Sequence, residues 1–246
     1  KAIKLNPTVA KYYYNLAWTQ SKLDKYEIAI KNYEKAIELN SNVAEYYYNL
    51  AWTQTKLYDY DRAIKNYKKA INIRPNYPQA QFKQSLILLV RENFLEGWKN
   101  YEGRVKIEEA DINQKKILNL KQWNGKKFDG TLYVYGEQGV GDQILHSSMI
   151  SDLYKIHPNI CLIVDSRFIS LFERSFKMIK IVGEEKNIKY NVNDYHILFG
   201  SLGKFLRKSI NNFKAEPKPY IIPDRLRIDK YKKLFSQNNK IKVGLS

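Results

Sequence analysis

The sequence predicts two folds in one chain: an α-helical repeat solenoid, then an α/β domain with a parallel sheet. Three observations carry this. A unit of 34 residues repeats without a gap from Lys1. Past Tyr101 that period stops, and strand-like segments alternate with helix-like ones. Glycines then gather at the end of the first of those strands, in the run Val134 to His146, VYGEQGVGDQILH.

The repeat is read first, because missing an internal period misreads a whole fold. Lys1–Glu34 and Lys35–Lys68 agree at many positions, and a third unit opens alike at Lys69 before diverging. Small residues recur where two helices would cross, and Tyr and Leu recur where they would fill the gaps between units. Such pairs bury their apolar faces only against neighbours. The period and its residues resemble the tetratricopeptide repeat. The matching positions are Tyr13, Leu16, Ala17, Tyr26, Ala29, Tyr33 and Ala36, then Tyr47, Leu50, Ala51, Tyr60, Ala63, Tyr67, Ala70 and Pro75. The third unit departs, with Gln81 for the first aromatic and Gly97 for the small Ala. Its helices are expected to pack as a cap or as a bridge to the α/β domain. The pattern opens inside a second helix, so further repeats are expected upstream.

The resemblance implies a peptide or protein partner on the concave side of the first helices. That face should carry Lys11, Tyr14, Asn15, Trp18 and Lys22, repeated as Glu45, Tyr48, Asn49, Trp52 and Lys56. The peptide-binding candidates are Tyr14, Asn15, Trp18, Tyr48, Asn49 and Trp52. An Asn amide can both donate to and accept from a peptide backbone, and the rings add apolar contact. The same residues also fit a purely packing role.

Residues 1–109 are thus assigned to the repeats, a partial one, two clear ones and a divergent one, and 110–130 to a linker that contains Gly125 and Gly130. Residues 131–240 are assigned to the α/β domain, and 241–246 are expected to open the first strand of a second, truncated domain. Strands are expected at Thr131–Gly136, Asn159–Asp165, Lys180–Val182 and Tyr195–Phe199, and helices at Asp142–Ile156, Arg167–Phe176, Ser201–Ser209 and Arg225–Gln237. Alternation of this kind argues a parallel sheet with crossovers, whose ligands bind at the carboxyl ends of strands. The glycine loop stands at such an end.

Two familiar phosphate loops fit it poorly. Gly136 and Gly141 have the spacing of a P-loop, but Asp142 and Gln143 stand where Lys and Ser or Thr are needed, and a carboxylate there repels phosphate. The order Gly136, Gly139, Gly141 reverses the dinucleotide fingerprint, although Asp165 offers an acid at the end of the second strand. The stretch Leu132–Lys155, LYVYGEQGVGDQILHSSMISDLYK, resembles a third arrangement when it follows repeats, the segment Leu95–Arg104 and the Trp123–Gly125 motif. This is a glycosyltransferase-like domain related to family 9, the heptosyltransferases. The resemblance implies the N-terminal, Rossmann-like half of a bacterial GT-B enzyme. By that match Gly141 and Asp142 correspond to the Gly-Asp that opens the first helix, and Asp142 would be the catalytic base toward an acceptor hydroxyl. Gly136, Glu137, Gln138, Gly139, Gly141 and His146 would face the acceptor, a glycan or a protein. The resemblance places a nucleotide-sugar donor on the second domain, so these 246 residues alone are expected to bind no cofactor and to transfer no sugar. Asp142 also fits a helix cap, Glu137 and Gln138 fit solvent, and His146 fits packing. A scaffold with a catalytically dead domain is the alternative.

Composition bounds these readings. Lys plus Arg number 42 against 25 for Asp plus Glu, a net charge of +17, which suits an anionic partner but equally fits a general compositional bias, since Lys, Asn, Ile and Tyr are abundant throughout. No dense block of Lys or Arg appears, which disfavours nucleic acid. The lone cysteine, Cys161, lies in an apolar run and cannot pair internally, which points to a reducing cytoplasm or the inner face of a membrane. No apolar run is long enough to span a bilayer, and no Cys/His/Asp spacing suggests a metal.

Overall fold

A computed structural model describes residues 2–108, 120–137, 139–184, 187–213 and 219–236. The chain divides into two compact units: Lys1–Gln114 with Gly203–Phe213, and Lys115–Leu202 with Lys214–Ser246.

The first unit is helical. A short helix α1 (Ala2–Leu5) precedes three antiparallel pairs: α2 (Ala10–Lys22) with α3 (Tyr26–Leu39), α4 (Ala44–Lys56) with α5 (Tyr60–Ile73), and α6 (Pro78–Val90) with α7 (Phe94–Tyr101). Helix α8 (Gly103–Glu108) follows. Ala17, Ala29, Ala36, Ala51, Ala63, Ala70 and Ala80 have no exposed surface, so the helices cross where only a methyl group fits. Tyr33 and Tyr67 fill the spaces between pairs. Each pair is also tied by a hydrogen bond between side-chain amides. Asn32 donates to Gln20 at 2.8 Å, Asn66 to Gln54 at 2.8 Å and Asn100 to Gln84 at 2.7 Å. The third acceptor comes one turn early, because Leu88 takes the position that Gln20 and Gln54 hold in their repeats. Each tight turn between paired helices holds one non-glycine residue in the left-handed region: Asp24, Tyr58 and Glu92, at φ of 57°, 58° and 59°. There the N–H groups of Lys25, Asp59 and Asn93 bond back to the carbonyls of Gln20, Gln54 and Leu88, which closes the helix end as a Schellman motif does.

The divergent third pair is covered by a segment distant in sequence. Helix α12 (Gly203–Leu206) packs on α7. Trp98 donates its indole N–H to the carbonyl of Arg207 at 2.7 Å, and Phe213 lies against Phe94 with ring centroids 5.1 Å apart. A side chain at Gly203 would fall on the Trp98 ring. Residues 203–213 therefore group with the helices, although the sequence assigned them to the α/β domain.

The second unit contains a five-stranded parallel sheet of β1 (Lys121–Gln122), β2 (Leu132–Tyr135), β3 (Ile160–Val164), β4 (Lys180–Gly183) and β5 (Tyr195–Leu198), in the order β1-β5-β2-β3-β4. Every residue of β2 and β3 is buried, as expected of strands covered on both faces. Helices α9 (Val140–Ser147), α10 (Ile150–Ile156) and α11 (Ile169–Ser175) follow the strands, and α13 (Arg225–Phe235) comes last. The chain goes from β2 to β3 and β4 on one side, then returns to place β5 on the other side of β2. The strand order thus reverses at β2.

Local departures from the sequence reading have local causes. The single helix expected over 142–156 is two, because the N–H groups of Ser148 and Met149 bond three residues back and tighten the chain out of register. The expected linker contributes β1 and a buried Trp123, whose indole donates to the carbonyl of Lys126 at 2.7 Å. The strand assigned to 241–246 lies outside the described residues. Gly130 has a φ of 152°, and a Cβ there would stand 2.2 Å from the carbonyl oxygen of Asn193. Buried Asp194 completes that corner, accepting from the N–H of Thr131 at 2.9 Å and of Asn191 at 2.7 Å.

Replacing Asp194 by Ala strands both donors. It should lower the stability of the sheet by about 2 kcal/mol. Amide hydrogen exchange of β2 and β5 measures this, and Asp194→Asn should lose less.

Candidate functional site

Two places bring together residues singled out in the sequence, one in each unit. The first is on the first helices of the repeats. Trp18 is half exposed on α2, and Trp52 sits at the same position one repeat later on α4. Lys22 lies between them, with its Nζ 5.6 Å from the Trp18 ring centre and 5.7 Å from that of Trp52. The Nζ of Lys56 stands 5.2 Å from the Trp52 ring centre. Helical spacing explains the row: Trp and Lys four residues apart share a face, and the 34-residue period copies that face onto the next helix. Trp18, Ser21, Lys22, Tyr48, Asn49 and Trp52 line an open cavity of about 260 Å³. Neither lysine has a carboxylate partner among the described residues.

The remaining candidates on this face have other duties. Tyr14 is stacked on Tyr46 at 4.9 Å, and its hydroxyl accepts a hydrogen bond from Asn49 at 3.0 Å. Asn49 also donates to the carbonyl of Glu45 at 2.9 Å, so both its N–H bonds are used and its oxygen alone is left for a ligand. Two-way backbone recognition by this amide would require Asn49 to give up one of these bonds. Asn15, in the repeat before, is exposed. Tyr48 packs between Tyr67 and Tyr77 and offers one edge to the cavity. The sequence reading passed over Ser21, whose hydroxyl donates to the carbonyl of Trp18 at 2.8 Å. Its only signal was its place one residue before Lys22.

The second place is the loop after β2. The N–H of Gly136 bonds to the carbonyl of Ile163 at 2.7 Å and keeps the strand exit on the sheet. Glu137 then turns inward. It is buried, and its Oε1 accepts the N–H of Gly200, just past β5, at 2.7 Å. The sequence placed Glu137 toward sugar or solvent; the structure uses it to join the ends of the two strands between which the order reverses. Gln138 lies outside the described residues. Gly139, not Asp142, is the N-cap of α9, and Asp142 is the third residue of the helix. Its Oδ2 reaches back to the N–H of Gly139 at 3.3 Å. Asp142 is half-buried, while Gly139 and Gly141 are exposed and leave the backbone open. His146, one turn on, is buried.

Gln143 was missed in the sequence. It is buried, lies over Gly136 where a Cβ would meet its amide at 2.6 Å, and accepts from the N–H of Asp165 at 3.4 Å. Asp165, the one acid placed to hold a ribose, is taken by Arg167, which grips it at 2.6 to 3.1 Å and holds its carboxyl well below the usual range, at about 2. Glu137, Asp142 and Asp165 thus stand near this edge of the sheet, as does Glu184 just past β4. Glu137 holds the strand ends and Asp165 an arginine, while Asp142 holds the loop amide of Gly139. A carboxylate so placed can accept a proton from a hydroxyl brought within reach.

Sequence profiles of the tetratricopeptide repeat match residues 10–43 and 32–65, and one of the TPR repeat matches residues 55–84. The paired helices over this span are tetratricopeptide repeats. Protein FlbA of Caulobacter vibrioides is 27% identical over 169 residues, which cover 62% of this chain and 28% of FlbA. That share is longer than the helices from Ala2 to Glu108, so the similarity reaches into the second unit. The chain matches little more than a quarter of FlbA's length. Among solved structures, MamA is similar over 44% of this chain and 63% of its own, with 29% identity and a TM-score of 0.41. The TPR2B domain of yeast Sti1 in its Hsp70 complex is similar over 45% of this chain and 87% of its own, with 21% identity and a TM-score of 0.39. Among the described residues no helix is long and apolar enough to cross a membrane.

Burial pushes the phenol of Tyr33, which packs under the cavity beside Ser21, up to about 12 from an ordinary 10, and the Cys161 thiol in β3 up to about 11 from 9. The folded chain holds these protons after the unfolded chain has lost them, so the contribution of these two groups to stability is full below pH 9 and falls as pH rises through 9 to 12. Thermal midpoints recorded across that range should drop steadily. Replacing Cys161 by Ala should remove the part that begins near pH 9.

Proposed function

We propose that the chain couples a protein-binding repeat scaffold to the acceptor side of a sugar-transfer site, with the nucleotide-sugar donor held by a second α/β domain. The repeats supply a scaffold whose first helices carry an open aromatic and cationic cleft. The observation that carries the catalytic part is the reversal of strand order at β2. In open parallel sheets ligands gather outside the carboxyl ends of strands at such a reversal, and the glycine loop stands there. That reversal supports the Rossmann-like reading that the GT-B resemblance implies.

In this reading Asp142 takes the proton of an acceptor hydroxyl as its oxygen attacks the anomeric carbon. The bond from that carbon to the nucleotide phosphate breaks, and its electron pair leaves with the nucleoside diphosphate. The exposed backbone at Gly139 and Gly141 lies against the acceptor, a glycan or a protein side chain. Gly136, Glu137 and His146 act from beneath, setting the path of the loop. A second reading has its own support: the bond from Gly139 N–H to Asp142 is what a carboxylate serving only as a helix cap would make. The chain is then a scaffold whose α/β unit does no chemistry.

Asp142→Asn separates the two. Asn keeps an oxygen for the Gly139 N–H but cannot accept a proton at neutral pH. In a polypeptide that carries both α/β halves, the substitution should slow sugar transfer about a hundredfold or more while leaving the thermal midpoint in place. An unchanged transfer rate would contradict the catalytic role.

A further inference from the structure

The row of Trp18, Lys22, Trp52 and Lys56 specifies more than a contact surface. Both ammonium groups lie on indole faces and lack a carboxylate partner among the described residues, while Glu45, at the far end of α4 from Lys56, is engaged by Arg74. The row ends abruptly at the third repeat. Thirty-four residues after Trp52 and Lys56 stand Leu86 and Val90, which are 39% and 69% exposed. One position on successive first helices thus reads cation, cation, apolar. The first two are walled by tryptophan and the third is open aliphatic surface.

Neighbouring packed helices lie about 10 Å apart, and an extended peptide advances about 3.3 Å per residue, so one repeat corresponds to about three residues of ligand. We propose that this face binds an extended peptide segment with acidic side chains three residues apart and an apolar side chain three residues further on. The carboxylates would meet Lys22 and Lys56, and the apolar group would cover Leu86 and Val90. The methylenes of each acidic side chain would lie against an indole, which places charge and apolar contact on the same residue. Asn49, with only its oxygen to offer, would accept one backbone N–H of the ligand. This rests on the peptide-binding reading of the repeats and adds the chemistry and spacing of the ligand.

The test uses the 246-residue chain and three fluorescein-labelled synthetic peptides. The first contains Glu-Gly-Ser-Glu-Gly-Ser-Leu, the second the same residues with the two Glu adjacent, and the third Gln in place of each Glu. Fluorescence anisotropy should show the first binding about fivefold more tightly than either other, the size expected of two partly exposed ion pairs. The double variant Lys22→Gln with Lys56→Gln should abolish that preference with its circular dichroism unchanged. Equal binding of all three peptides, weakened by Trp18→Ala, would leave the face a peptide site but overturn the acidic spacing. Survival of the preference in the double lysine variant would overturn the assignment of the lysines. Absence of binding by any of the peptides would overturn both the spacing and the peptide reading beneath it.

Discussion

The spacing of the helices depends on alanines that have no room to be anything else. With Ala17, Ala29, Ala36, Ala51, Ala63, Ala70 and Ala80 wholly enclosed, each crossing is as close as a methyl group allows. That closeness brings an Asn on each second helix within hydrogen-bond reach of a Gln on the first. It also brings adjacent first helices near enough for Lys22 to lie on two indoles at once. A larger side chain at a crossing would push the helices apart, and overpacking of this kind typically costs about 1–3 kcal/mol. The cleft would then open along with the core, so the surface that faces a ligand is set by residues no ligand can touch.

A different constraint governs the sheet. Strands buried on both faces can offer chemistry only at their ends, and the polar groups that gather there must first satisfy the backbone. Glu137 takes the N–H of Gly200, and Asp165 takes Arg167. Gln143 covers Gly136 and reaches the N–H of Asp165. These bonds close the edge where the strand order reverses. They leave the exposed backbone of Gly139 and Gly141, with Asp142 beside it, as the part that faces outward.

Periodic features were legible in the sequence. The 34-residue offset marked the helical repeats and set Trp18 and Trp52 at equivalent positions in successive units. Alternation of apolar runs and helical segments located β2 to β5 within a residue or two. What the sequence hid depends on contacts between distant residues. Nothing near Gly203 signals that it will lie on Trp98, and nothing near Glu137 signals that Gly200 will need an acceptor. The same reason explains Asn49. Its type suits backbone recognition, but Tyr14, a full repeat away, takes one of its hydrogens. The cap of α9 was misplaced because Asp is the more usual cap residue and Gly139 shows no side chain to recognise.

The central claim is that the indole-and-ammonium row on the first helices is where the chain meets its partner. The four tryptophans allow a direct reading, because each indole N–H gives its own NMR signal. Trp98 and Trp123 are committed to the carbonyls of Arg207 and Lys126, and Trp18 and Trp52 flank the cavity. On titration with the peptide containing Glu-Gly-Ser-Glu-Gly-Ser-Leu, the Trp18 and Trp52 signals should move together and saturate while those of Trp98 and Trp123 stay still. Movement confined to Trp98 or Trp123, or no movement in any of the four, would contradict the account.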